Sequence, residues 1–171
     1  MLFNDGIIDG VEVRLLKRRD DHRGWLTEIF REDELPERFI PAMCYVSLTH
    51  PNVTRGPHEH ADQTDYFAFT GPGDFQVTLW DMRENSPTCC LRQTIIGGTL
   101  SPTMILVPPG VVHGYKNISD VPGLVINCPN RLFGGWKREY PVDEIRHEEE
   151  KDSPFVMIEH TLRCPFIKER A

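Results

Sequence analysis

No apolar run in this sequence approaches the roughly 20 residues that a helix needs to cross a bilayer, so no membrane helix is expected. Basic charge is also in deficit, with 19 Lys and Arg against 26 Asp and Glu and a net charge of -7. That balance argues against general nucleic-acid binding, and an anionic small molecule would need a local basic site. The five cysteines, at 44, 89, 90, 128 and 164, include no C-x-x-C pair and no even count. Reduced, packing thiols in a cytoplasmic protein are the expectation. The opening residues lack the basic and apolar regions of a secretory leader. There is no internal repeat and no low-complexity linker. The 171 residues suffice for one domain with a substantial core.

What the chain does have is a rhythm of short strands. Gly10 to Leu16 reads as an edge strand, and Trp25 to Phe30 as a strand with Trp25, Thr27 and Ile29 on one face. Glu32 to Phe39 suggests a short helix disturbed by Pro36, and Met43 to Thr49 another strand. Further strands are expected over Asp65–Thr70, Phe75–Asp81, Leu91–Ile96, Met104–Val107, Gly114–Asn117 and Leu124–Cys128. Glycine- and proline-rich turns separate them. Many short strands and few helical stretches indicate an all-β barrel or jelly roll. The charged stretch Asp143–Asp152 reads as a solvated loop or helical turn, and Phe155–Leu162 as a segment that packs back.

Two clusters carry chemistry. Val53 to Asp65 contains Arg55, His58, His60, Gln63 and Asp65. On a strand, the i, i+2 spacing of His58 and His60 turns both rings to one face. Pro108-Pro109-Gly110-Val111-Val112-His113-Gly114-Tyr115 follows about fifty residues later, a tight turn leading to a histidine on the next strand. Three imidazoles with Asp65 suit Fe, Mn, Ni or Zn. The same side chains also suit a polar, hydrogen-bonded lining.

The spacings His-x-His-x4-acid and Pro-x-Gly-x2-His-x3-Asn resemble the two motifs of the cupin superfamily. That resemblance implies a double-stranded β-helix, a jelly-roll barrel with short helical segments. It would form a single domain over 1–171, with an N-terminal arm to about 40, a barrel over about 41–130 and a C-terminal tail from about 131.

Four segments narrow the resemblance to the dTDP-4-dehydrorhamnose 3,5-epimerase family. They are Asp21-x-Arg23-Gly24-Trp25-x-x-Glu28-x-Phe30-Arg31, Arg55-Gly56-x-His58, Asp81-Met82-Arg83-x-x-Ser86-Pro87-Thr88, and Pro108-Pro109-Gly110-x-x-His113-Gly114-Tyr115 with Ser119-Asp120. The likeness implies an isomerase of carbohydrate biosynthesis acting on a 4-keto-6-deoxy sugar nucleotide, with no cofactor. His58 would be its base, removing a proton next to the keto group. Arg23 and Arg55 would hold the nucleotide diphosphate, Arg23 reaching across a homodimer interface, with His113 and Tyr115 also on the substrate.

This chain departs from that pattern at four places. His60 stands in the region of an aromatic-Gln pair, and no lysine stands near Asp65–Tyr66 to stabilise an enolate. No tyrosine stands at Asn130–Leu132, leaving Tyr115 and Tyr140 as downstream acids, and Asp152 is the candidate to orient His58. Three readings stay open: the epimerase, a metal-dependent oxygenase or isomerase using His58, His60, Asp65 and His113, and a non-catalytic sugar-nucleotide binder.

Overall fold

The β-branched and aromatic runs become strands in the computed structural model, which describes residues 3–37 and 39–157. In chain order they are β1 (Asn4–Asp5), β2 (Glu12–Leu15), β3 (Arg18–Asp21), β4 (Gly24–Thr27), β5 (Tyr45–Thr49) and β6 (Thr54–Glu59). Then come β7 (Asp65–Phe69), β8 (Asp74–Asp81), β9 (Leu91–Gly98), β10 (Thr103–Val107), β11 (Val111–Asn117), β12 (Gly123–Asn127) and β13 (Ile145–Arg146). Helix among the described residues is confined to single turns at Glu32–Glu34, Trp136–Arg138 and His147–Glu149.

Two sheets form the jelly-roll barrel, one ordered β1-β9-β8-β11-β6-β13 and the other β2-β10-β7-β12-β5. Their inner faces meet in a core that includes Phe67, Phe69, Phe75, Val77, Ile105 and Tyr115. Alternation sends the intervening residues outward, where they are covered a second time. Tyr66, Ala68, Met104 and Leu106 lie under Leu16, Ile29, Leu35 and Phe39. Trp80 and Val112 lie under Phe155, Phe3 and Met82 on the other side. Burial on both faces is why β7 and β10 read as continuous apolar runs instead of alternating ones. Full burial of rings such as Phe69 and Phe75 contributes roughly 1.5–3 kcal/mol each.

The third quoted segment proves to be a latch. The buried Asp81 carboxylate accepts hydrogen bonds from Arg83, Ser86 and Thr88, while Arg83 Nη2 also donates to the Asp9 carbonyl at 2.7 Å. One carboxylate thus closes the loop after β8 and fastens the N-terminal chain to it.

Several expectations need correction. The strand expected to run to Phe30 stops at Thr27, because Gly24–Thr27 pairs with Arg18–Asp21 in a hairpin around His22 and Arg23. Ile29 instead packs on the outer core. The expected helix from Glu32 to Phe39 shrinks to one turn, since the chain is extended at Leu35 ahead of Pro36. β9 runs through Gly97 and Gly98, with the turn falling after them. Asp143–Asp152 does contain the expected helical turn, at His147–Glu149, but it also contains β13, which pairs with β6. Phe155 does pack back, against Trp80 at 5.8 Å between centroids; residues 158–162 lie outside the described residues.

Candidate active site

β6 carries His58 and β11 carries His113, with His60 just past the end of β6; the two strands pair antiparallel, with His58 opposite His113 and Arg55 opposite Tyr115. The register shifts between these pairs, so Gly56 and Pro57 bulge opposite Gly114. Gly56 has φ +77, and a Cβ there would lie 2.6 Å from the His113 carbonyl oxygen. Only glycine lets the two motif strands approach this closely with such a backbone.

The bulge brings the predicted residues together. Ring centroids of His58 and His113 are 4.5 Å apart, and those of His58 and His60 are 5.6 Å apart. One ligand atom from each of the three imidazoles falls within 4.8 Å of the others. Asp65, at the start of β7 and 1% exposed, puts Oδ2 3.3 Å from His60 Nε2 and 3.2 Å from His113 Nε2. Gln63 Nε2 and Asn127 Nδ2 donate to its Oδ1.

Environment pushes these groups apart. Burial, then the neighbouring His113 and His60, push His58 down to about 3, so its imidazole is neutral. Burial also pulls on His60, but the Asp65 carboxylate and the Asp143 carbonyl outweigh it and raise its pKa. Burial would raise Asp65; the His113 and His60 imidazoles overcome it and hold the carboxyl far below the usual range.

His60 Nδ1 bonds the Asp143 carbonyl and His113 Nδ1 the Val111 carbonyl. In the neutral tautomer each ring then presents the lone pair of Nε2 toward Asp65. His113 Nε2 is buried and, although close to the carboxylate, lacks the alignment of a hydrogen bond. These residues fit a divalent transition metal by ligand type and orientation.

His58 and His60 open onto a cleft of about 1230 Å³, whereas His113, expected on the substrate, is buried behind them and is not among the lining residues. Arg55, Tyr115 and Tyr140 line it as well. Tyr115 is held by a 3.0 Å hydrogen bond with Ser47. Arg23 is not among the lining residues: it sits on the β3–β4 hairpin, 78% exposed at its side chain and paired with Asp21. Asp152 lies on an exposed turn. The carboxylate next to His58 is Glu144, with Oε1 4.0 Å from His58 Nε2.

Sequence reasoning missed six residues of the site. Tyr45 faces the cleft from β5, its phenol pushed up to about 12 chiefly by burial. Its signal was the i, i+2 alternation Tyr45, Ser47, Thr49. Asp143 accepts the backbone N–H groups of Ala61, Asp62 and Gln63, which fixes the loop after His60. Glu144 follows it on the same strap. Lys137 and Arg138 add positive charge to the cleft beside Trp136, and Arg131 lines it while paired with Asp62 at 2.8 Å. Nothing in the local pattern announced the last three, because they reach the site through tertiary folding of the tail.

Known proteins resemble this chain in sequence and in fold. The family described as dTDP-4-dehydrorhamnose 3,5-epimerase matches residues 6–134. The probable low-salt glycan biosynthesis epimerase Agl13 of Haloferax volcanii is 39% identical over 127 residues, covering 74% of this chain and 81% of that protein. The spore coat polysaccharide biosynthesis protein SpsL of Bacillus subtilis is 37% identical over 121 residues, covering 70% and 78%. The crystal structure of a dTDP sugar isomerase from Desulfovibrio desulfuricans shares the fold, with TM-score 0.73 at 24% identity, covering 87% of this chain and 91% of that one. So does ChmJ, a 3'-monoepimerase from Streptomyces bikiniensis solved with dTDP-quinovose, with TM-score 0.70 at 21% identity, covering 84% and 72%. By the extent of the family match and the identity to its relatives, this chain belongs to the dTDP-4-dehydrorhamnose 3,5-epimerase family.

Proposed function

We propose that this chain epimerises a 4-keto-6-deoxy sugar nucleotide by removing a proton next to the keto group, with His58 as the base. The observation that carries this reading is a neutral imidazole, His58, opening onto a cleft lined by cationic side chains. The 4-keto group acidifies the adjacent C–H bonds, and the His58 lone pair takes the proton. The imidazolium so formed gains the Glu144 and Asp65 carboxylates as neighbours. His60, both of whose ring nitrogens are already engaged by the Asp143 carbonyl and Asp65, adds positive charge beside the enolate without donating to it, where the family has a lysine. A phenol lining the cleft, Tyr45 or Tyr140, returns the proton.

Arg55, with Arg131, Lys137 and Arg138, gives the diphosphate its charge-assisted bonds. Arg23 joins them only from a second subunit, so a homodimer is part of the proposal. The hairpin that bears Arg23 exposes Trp25 and Leu26, apolar surface that an adjoining chain would cover. Incubation with dTDP-4-keto-6-deoxyglucose in D2O tests the activity: deuterium should enter the carbon next to the ketone. Nucleotide binding without incorporation would favour a binding protein.

A second reading rests on the locked Nδ1 atoms of His60 and His113 and the unsatisfied Nε2 of His113. In it His58, His60, His113 and Asp65 hold a divalent ion such as Fe, Mn, Ni or Zn. When bound, the ion would supply Lewis acidity toward a keto oxygen. The two readings exclude each other at His58, whose lone pair cannot both bind metal and take a proton. Elemental analysis of the purified protein separates them, one equivalent per chain supporting the metal and its loss in His60→Ala confirming the ligand set.

A further inference from the structure

Cys44 and Cys128 are 84 residues apart in sequence, yet their Sγ atoms are 3.4 Å apart. The ladder between β5 and β12 explains the meeting. Tyr45 opposite Asn127 is its last pair, and one further step outward sets Cys44 against Cys128. Opposite residues of an antiparallel pair have Cα atoms roughly 4.5–5.5 Å apart, within the roughly 4.4–6.8 Å that a disulfide spans. Contraction from 3.4 Å to a bond of about 2.05 Å is a movement on the scale of side-chain rotation.

The two thiols differ in access. Cys44 is exposed and forms part of the cleft wall, whereas Cys128 is 3% exposed. Burial, and then the neighbouring Cys44, push the Cys128 thiol up to about 12. Oxidation therefore has to begin at Cys44, and closure onto Cys44 by Cys128 is the slower step.

We infer that Cys44 and Cys128 form a redox-active dithiol in the cleft wall, which a small-molecule disulfide of the glutathione class converts reversibly to an intramolecular disulfide. The Cys44 thiolate attacks one sulfur of the oxidant, forming a mixed disulfide and releasing one thiolate. The Cys128 sulfur then attacks the Cys44 sulfur, forming the protein bond and releasing the second. The two protein thiol protons go to the two departing thiolates, and the small disulfide is the species reduced.

Its position ties the pair to the site. Asn127, the residue before Cys128, donates from Nδ2 to Asp65 at 2.7 Å and to the Tyr45 hydroxyl at 3.0 Å. Met43, the residue before Cys44, accepts the Phe133 N–H of the cleft loop through its sulfur at 3.4 Å. The bridge would pin the strand ends that bear these contacts and remove a thiol from the cleft surface.

The test uses the full chain, reduced and then equilibrated with oxidised glutathione at pH 8, with alkylation and peptide mass mapping. Free thiols should fall from five to three per chain. A Cys44–Cys128 peptide pair should appear and then vanish with dithiothreitol. Cys44→Ser, an exposed substitution, should form no intramolecular bridge. A second measurement reads proximity without oxidation: phenylarsine oxide should occupy this pair at one equivalent, and Cys44→Ser should lose it. Arrest at a mixed disulfide on Cys44, a bridge that maps to Cys89 and Cys90, or failure of the arsenical to link Cys44 to Cys128 would overturn the inference.

Discussion

His58 and His113 face each other across the β6–β11 ladder with ring centroids 4.5 Å apart. Two motifs fifty residues apart in sequence thus meet at one point, and the closeness depends on the backbone between them. Gly56 is the residue that permits it.

Gly56→Ala should therefore damage both stability and site. The left-handed backbone alone costs an alanine about 1–2 kcal/mol, and the new methyl meets the His113 carbonyl at 2.6 Å. Urea unfolding should show a lower midpoint, and proton exchange into substrate should fall with it. An unchanged midpoint would mean that the strands part without cost.

The pH dependence of exchange distinguishes His58 from an ordinary histidine. Its pKa is pushed from 6.5 to about 3 in the folded chain, so it is the neutral base well below neutrality. Activity should show no acid limb centred at 6.5. For stability the sign is the same: as pH falls below 6.5, the unfolded chain takes up a proton that folded His58 refuses, so stability declines toward about 3. A kcat/KM profile that halves near 6.5 would assign the base elsewhere.

Asp81 gives a second pH test, away from the chemistry. Burial raises its pKa, but hydrogen bonds from Arg83, Ser86 and Thr88 overcome that and leave it lowered. Its contribution is thus present above about 3.9, the unfolded value, and is lost as pH falls through the folded value. Asp81→Asn should cost about 1–3 kcal/mol at pH 7, and the gap from wild type should shrink in acid. A gap independent of pH would mean that the charge is not what holds the latch.

The barrel was legible because its strands are bounded by glycine and proline turns and because the histidine spacings match a two-strand site. The site was legible only where residues lie within a motif: His58, His60, Asp65 and His113 converge as their positions suggested. Glu144 and Asp143 were hidden in a charge-rich stretch that reads like solvated loop. Their half-buried position follows from β13 adding to the edge of β6, a pairing two residues long that leaves no periodic signal. Tyr45 was hidden differently, since an edge strand half in water can present either face.

Arg23 tests the assembly. Light scattering should give a dimer at micromolar concentration, and Arg23→Ala should weaken nucleotide binding although the residue is outside the cleft of its own chain. A monomer, or unchanged affinity, would contradict the crossed arrangement.

The central claim is that His58 moves the proton, and deuterium incorporation from D2O into a 4-keto-6-deoxy sugar nucleotide measures it directly. His58→Asn should lower the incorporation rate by about 10²–10⁴-fold, while the dissociation constant for the nucleotide stays within a few-fold because the cleft's arginines remain. Incorporation at the wild-type rate in His58→Asn would contradict the account.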